Sequence, residues 1–257
     1  MQQNIKIENK HGEKLAGVLH ETGSNEIVIV CHGFLCSKDK PIIMNLAVAL
    51  ENARISVFRF DFTGNGESEG SFQLANYYRE TEDIRAVTEY FGSLNRKVTA
   101  ILGHSKGGNI VLLYASIYDI DAVVNVSGPY YLDKGFDERF GENFMERIET
   151  DGFVDFTNKV GKIYRATKES LVELRNIKMR DTCLSIDKRC RVLTIHGASD
   201  TVVQLEDARE FDKVIQNHTL HVIKGANHGF TKHQAELAST VVSYIKGCLQ
   251  LREKAIV

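Results

Sequence analysis

The chain of 257 residues lacks any run of the ~18 apolar residues needed to cross a bilayer. It also lacks, in its opening Met-Gln-Gln-Asn-Ile-Lys, the apolar stretch of a secretory leader. A cytoplasmic protein without a transmembrane segment is expected. Charge of one sign is missing too: 32 Lys+Arg face 34 Asp+Glu, and no basic run interleaved with aromatics is available to track a phosphate backbone. Nucleic acid is therefore not expected as a partner. The five cysteines (Cys31, Cys36, Cys183, Cys190, Cys248) contain no C-x-x-C pair, so neither a zinc site nor a dithiol is indicated, and no metal is expected. Cys31 or Cys36 as a nucleophile is a weaker alternative, because neither sits in a glycine-flanked turn. Gly/Ser/Pro-rich linkers, internal repeats and low-complexity tracts are likewise missing.

What the chain does contain is alternation. Short β-branched runs recur between longer amphipathic stretches, the pattern of strands and helices built around a mostly parallel sheet. Eight strands are predicted at Ile5–Glu8, Lys14–Leu19, Ile27–Cys31, Ser56–Phe60, Val98–Leu102, Ala122–Val126, Val192–His196 and Leu220–Ile223. The first two, joined through a His-Gly turn, read as an antiparallel hairpin on the sheet edge, and the other six as parallel. Helices fit at Pro41–Glu51, Tyr78–Phe91, Lys106–Ile117, Leu205–Ile215 and Thr231–Leu249.

One connection is too long. About sixty residues separate the sixth strand from the seventh, where a crossover needs little more than a dozen. The spacing predicts an inserted cap over the C-terminal edge of the sheet. It would hold a helix over Asp137–Glu149, a turn at Asp151-Gly152, extended pieces Phe153–Phe156 and Lys162–Ala166, and a helix over Lys168–Met179. The expected organisation is one catalytic domain, with core residues 1–128 and 191–257 and a cap or lid at 129–190.

Directly after the fifth strand comes Gly103-His104-Ser105-Lys106-Gly107-Gly108, then an apolar helix. A serine held on so tight a strand-to-helix turn would be strained. Side chains two positions either side would strike the neighbouring strand and helix, so glycine is needed at 103 and 107. The bland alternative is a glycine-rich turn whose serine merely caps the helix. A serine hydroxyl also needs a base, and the base an orienting carboxylate. The loop after the seventh strand supplies Asp200, and the loop after the eighth supplies His228 between Gly225 and Gly229. Asp181 and Asp187 fall in or after the cap, Asp207 and Asp212 on a predicted solvated helix. His32 and His104 are expected to pack inside their glycine motifs, His221 lies mid-strand, and His233 is placed on the last helix. The strand Ile27–Cys31 ends in His32-Gly33-Phe34, which with the turn at Ser105 offers backbone N–H groups of Phe34 and Lys106 as an oxyanion hole.

Together His32-Gly33-Phe34, Asp61-Phe62-Thr63-Gly64-Asn65-Gly66-Glu67-Ser68, Gly103-His104-Ser105-Lys106-Gly107-Gly108, Asp200 and His228 resemble the α/β-hydrolase superfamily. Within it they resemble the serine hydrolases that include cinnamoyl (feruloyl) esterases, monoacylglycerol lipases and carboxylesterases. The resemblance covers the chain apart from the cap. It implies the α/β-hydrolase fold and ester hydrolysis through an acyl-enzyme, with no metal and no organic cofactor, and does not name the ester; a small or medium apolar or aromatic ester is the expectation. Asp61 would fix the glycine-rich loop rather than react, and a dinucleotide site at Gly64-x-Gly66 fails on spacing. The cap aromatics Tyr130, Tyr131, Phe136, Phe140, Phe144, Phe153, Phe156 and Tyr164 read first as the cap's own core, with some available to line a pocket. Thioesterase, acyltransferase and lipase activities share this machinery. A hydrolase-fold small-molecule receptor is the reading from another class. Oligomeric state stays open, with a homodimer among the options.

Overall fold

A computed structural model of the chain describes residues 2–157, 161 and 163–256, with side chains at all of these except 138, 139 and 252–256. Among them, eight strands form one sheet: β1 (Gln2–Glu8), β2 (Lys14–His20), β3 (Glu26–Cys31), β4 (Ser56–Phe60), β5 (Lys97–His104), β6 (Ala122–Val126), β9 (Arg191–Gly197) and β10 (His218–Ile223). Their spatial order is β1-β2-β4-β3-β5-β6-β9-β10. β1 pairs antiparallel with β2, and β2 antiparallel with β4; every other pairing is parallel. Each predicted strand is present, and the hairpin occupies the edge.

Alternation in the parallel strands sorts their side chains onto two buried faces. Ile27, Ile29 and Cys31 of β3 join one core with α2 (Tyr77–Ser93), α3 (Lys106–Ile117) and Phe211 of α8 (Leu205–Val214). Val28 and Val30 join the other with α1 (Pro41–Asn52) and α9 (Gln234–Ile256). α3 is buried from Lys106 to Ala115, so its N-terminus is held from all sides.

The chain runs from β3 to β4 on one side, then crosses back to place β5 on the other side of β3. The order therefore reverses between β3 and β5, and a crevice opens outside their carboxyl ends, where such sheets bind ligands. His32 to Phe34 follow β3 and Ser105 follows β5, so both motifs arrive at that crevice.

The long connection folds as α4 (Phe136–Phe140), α5 (Phe144–Asp151), a two-stranded antiparallel sheet of β7 (Phe153–Thr157) and β8 (Ile163–Thr167), α6 (Lys168–Asn176) and α7 (Met179–Leu184). Two of the expected helices are split. The first breaks at Gly141, at φ 101°, and Asn143, at φ 58°, conformations a helix interior does not hold. The second breaks at Ile177 and Lys178, both extended. Of the second extended piece, Lys162 lies outside the described residues; the turn after Asp151 forms with Gly152 at φ 82°. The last helix begins at Gln234, so His233 precedes it.

Aromatic rings fill the segment's interior. Phe144 stacks on Phe136, and Phe140 packs on both Phe144 and Phe156. The cluster also reaches outward: Phe140 and Phe156 contact Phe34, and Tyr164 contacts Phe72. Phe153 instead lies exposed under the Arg165 guanidinium. At the segment's start, Asp207 accepts hydrogen bonds from the N–H groups of Tyr130 (2.6 Å) and Tyr131 (3.0 Å). The expected solvated role for Asp207 is corrected by this: its helix face turns inward, and the carboxylate is buried because it serves two backbone donors.

Candidate active site

Ser105 sits at φ 57°, ψ −124°, a conformation that side-chain-bearing residues adopt only at a cost of about 1–3 kcal/mol. Its N–H donates to the Val126 carbonyl (2.8 Å) and its carbonyl accepts from the Gly108 N–H (2.8 Å), which fixes the β5–α3 turn against the end of β6. The flanking glycines have steric reasons. A Cβ on Gly103 would stand 2.0 Å from the Gly107 carbonyl oxygen, and one on Gly107 would stand 2.5 Å from that of His32. The first collision is with the helix and the second with the end of β3, so only glycine lets α3 approach both.

Asp200 follows β9 and is buried. One carboxylate oxygen accepts from the N–H groups of Val202 and Val203, each at 2.9 Å; the other accepts from His228 Nδ1 at 2.8 Å. Burial pushes the Asp200 carboxyl up. The hydrogen bond and charge of His228 and the two backbone donors outweigh it and hold the group below the usual range. An ionised Asp200 needs a proton on His228 Nδ1, which leaves the Nε2 lone pair free to act as a base.

Two further histidines lie near His228 and Ser105. His104, beside the serine, is buried, and its Nε2 lies 2.8 Å from the His228 carbonyl, to which it must donate; the two rings are 4.9 Å apart. Burial, reinforced by the nearby His228, lowers its pKa to about 3. His32 accepts the Phe62 N–H at Nε2 (3.1 Å) and donates from Nδ1 to the Gly33 carbonyl (2.8 Å). Burial first, opposed by that bond, lowers it to about 4. Both rings stay neutral at physiological pH as structural donors.

The Gly33 backbone lies against the serine: a Cβ there would be 3.0 Å from Ser105 Cβ. Phe34 follows, under the aromatic cluster. Lys106 is the first residue of α3, so its N–H has no partner within the helix. Its side chain turns away, to Glu80 at 2.9 Å. Asp61, fully buried, accepts from Lys38 N–H (2.6 Å), Lys38 Nζ (2.8 Å) and Glu67 N–H (3.0 Å). It ties the loop at residues 62–68 to the stretch that follows Phe34. That is a fixing role.

Ser105, Asp200 and His228 thus converge on one sheet edge. Asp200 and His228 are bonded directly, while the Ser105 hydroxyl makes no hydrogen bond to His228 among the described residues. Sequence reasoning missed Glu80 and the bond of His104 to the His228 carbonyl. A glutamate among the apolar-spaced positions of α2 was the available signal for the first. The four buried cysteines are free, and burial pushes the Cys31 thiol up and those of Cys183 and Cys190 to about 12, which leaves them poor nucleophiles. A surface hollow lined by Tyr118, Asp121, Asp187 and Arg189 lies at the opposite end of the strands from Ser105. Among the described residues no cluster of His, Cys, Asp and Glu could hold a metal ion, and no helix is long and apolar enough to cross a membrane.

Comparison with known proteins agrees with the architecture. The alpha/beta hydrolase fold family matches residues 26–140. Among curated proteins, the protein phosphatase methylesterase 1 of Candida albicans is 27% identical over 117 residues, 44% of this chain and only 31% of that protein. Among solved structures, ferulic-acid-bound Est1E from Butyrivibrio proteoclasticus superposes with a TM-score of 0.82 at 23% identity, covering 96% of this chain and 99% of that one. The Pyrococcus furiosus esterase Pf2001 does so at 0.75 and 22% identity, covering 96% and 91%. Strand order, strained serine turn and these likenesses together show that the chain has the α/β-hydrolase fold.

Proposed function

We propose that the chain is a serine esterase in which Ser105 attacks a carboxylic ester, His228 accepts its proton and Asp200 holds the imidazole. The observation that carries this reading is the Asp200–His228 bond of 2.8 Å on the same sheet edge as the strained Ser105 turn. With Nδ1–H committed to Asp200, only Nε2 can take the serine proton, and serine-to-base contacts of this kind commonly tighten only in the Michaelis complex. The N–H groups of Phe34 and Lys106 stabilise the oxyanion. His228 returns the proton to the leaving alcohol, and water then cleaves the acyl-enzyme with the same base.

Residues 129–190 act as a cap. Its rings Phe140 and Phe156 meet Phe34, and this apolar, aromatic surface next to the proposed oxyanion donor supports a preference for small or medium apolar or aromatic esters. The ester-hydrolysing proteins among the likenesses support the reaction class. No metal or organic cofactor takes part in these steps.

The test is multiple turnover of p-nitrophenyl esters of increasing acyl length and of methyl hydroxycinnamates by the wild type and Ser105→Ala. Turnover lost in the variant supports the esterase. Equal release from both, or a single stoichiometric burst, would favour a receptor-like role.

A further inference from the structure

Lys106 points in two directions at once. Its backbone N–H is the proposed oxyanion donor, whereas its side chain runs back under the serine turn, where Nζ lies 2.9 Å from Glu80 Oε1 and 4.9 Å from the ring centroid of Tyr77. Lys106 and Glu80 side chains are only 7% and 3% exposed. The second Glu80 oxygen is equally near the ammonium, at 2.9 Å, but has no directed hydrogen bond. Among the described residues, Lys106 is therefore the one side chain that hydrogen-bonds Glu80.

Glu80 lies in the first turn of α2, and that turn is braced from outside. Asn76 enters the helix at φ 52° without capping it, and its side-chain nitrogen is buried without a partner. The Tyr77 N–H donates instead to Glu173 of α6, at 2.9 Å. A continuous line of contacts joins the inserted segment, through α2 and Glu80, to Lys106, whose amide is the proposed oxyanion donor.

Stability is a poor explanation for this pair. Removing two charges from water costs about as much as their attraction returns, and apolar replacements of similar volume are commonly neutral or better. A buried ammonium with one acceptor does, however, fix where the first residue of α3 stands. We propose that Glu80 is a positioning residue for the oxyanion hole: through Lys106 Nζ it holds the Lys106 N–H on the reacting carbonyl, with Glu173 bracing the start of α2. This inference rests on the serine-esterase reading.

The groups facing Glu80 are Lys106 from α3, Asp83 and the Tyr77 phenol on its own helix, Glu173 from α6 and the Cys31 thiol from β3. Burial raises the Glu80 pKa to about 7 against the pull of Lys106, and Asp83 and Glu173 push it the same way. Protonation near neutrality loosens the hold on the ammonium.

The experiment compares the wild type with Glu80→Gln, Lys106→Met and the double variant Glu80→Leu/Lys106→Met. Competent sites are counted by exhaustive labelling with a fluorophosphonate, and kcat and KM for p-nitrophenyl butyrate are expressed per labelled site. Complete loss of one oxyanion donor costs about 10²–10³ in turnover, so a misplaced donor should cost roughly tenfold in kcat. KM should stay within about twofold, because the oxyanion exists only after attack. The double variant should match the single ones in kcat while melting no lower than the wild type, and Glu80→Gln should remove one proton from the acid limb of kcat. Wild-type kcat in the single variants, or recovery of kcat in the double one, would overturn the proposal while leaving the esterase intact. A wild type that neither labels nor turns over would overturn both.

Discussion

Asp200→Asn changes almost nothing sterically and should nonetheless remove most activity. The carboxylate takes three hydrogen bonds, two at one oxygen from the Val202 and Val203 amides and one at the other from His228 Nδ1. An asparagine can keep the two backbone donors on its carbonyl oxygen, which leaves its NH2 facing His228. Two donors cannot share that contact, so Nδ1 must lose its proton and the imidazole becomes the Nε2–H tautomer. That tautomer presents a proton to Ser105 where a lone pair is required. In the serine-protease triad the equivalent change costs about 10⁴ in kcat. Here a loss of about 10³–10⁴ is expected, or about 4–5 kcal/mol of transition-state stabilisation at 1.36 kcal/mol per tenfold. The assay is steady-state kcat on p-nitrophenyl butyrate at neutral pH, with circular dichroism to confirm the fold and imidazole ¹⁵N shifts to report the tautomer. A folded variant retaining more than a tenth of wild-type kcat would refute the assignment of Asp200.

Other consequences can be measured independently of the chemistry. Gly66→Ala would place a Cβ 2.2 Å from the Asp61 carboxylate at a φ of 51°, so a loss of more than about 2 kcal/mol is expected in urea unfolding; a change within about 0.5 kcal/mol would deny Asp61 its fixing role. His32 and His104 are held neutral with pKa values lowered to about 4 and about 3, so the unfolded chain takes up protons before the folded one does. Their stabilising contribution is present above the ordinary histidine pKa of about 6.5 and is lost as pH falls from there toward 4. His104→Gln, which keeps a side-chain N–H, should flatten that loss by about 2–3 kcal/mol near pH 4. Thermal melts across the range check it, and an unchanged pH slope would count against a neutral His104.

The core was legible in the sequence because its signals are local. Val28 and Val30 against Ile27 and Ile29 mark a strand buried on both faces, and Gly103 and Gly107 are forced by contacts that follow from one strand-turn-helix step. That Ser105, Asp200 and His228 follow strands at the same sheet edge was equally readable from the order of elements. The insertion was legible only as a length and a list of probable elements. Its helices break at Gly141, Asn143 and Ile177, where backbone preference competes with an apolar periodicity that reads as continuous. Asp207 and Glu80 were hidden for another reason: a carboxylate on a helix looks solvated until its partners, the Tyr130 and Tyr131 amides and Lys106, arrive from distant segments. Such partnerships have no local signature.

The strands that carry the insertion, β6 and β9, are direct neighbours, with Ala122 opposite Arg191 and Val126 opposite Ile195. The whole excursion therefore departs and returns across one strand spacing, roughly 5 Å, and its length places no demand on the sheet's register. Closure entropy grows only slowly with the size of such a loop, so longer or shorter excursions would cost the core little. The long segment between β6 and β9 can thus be exchanged by an engineer as a cassette. The conditions on a graft are few: an acceptor like Asp207 for its first two amides, a carboxylate like Glu173 for α2, and apolar surface to cover Phe34.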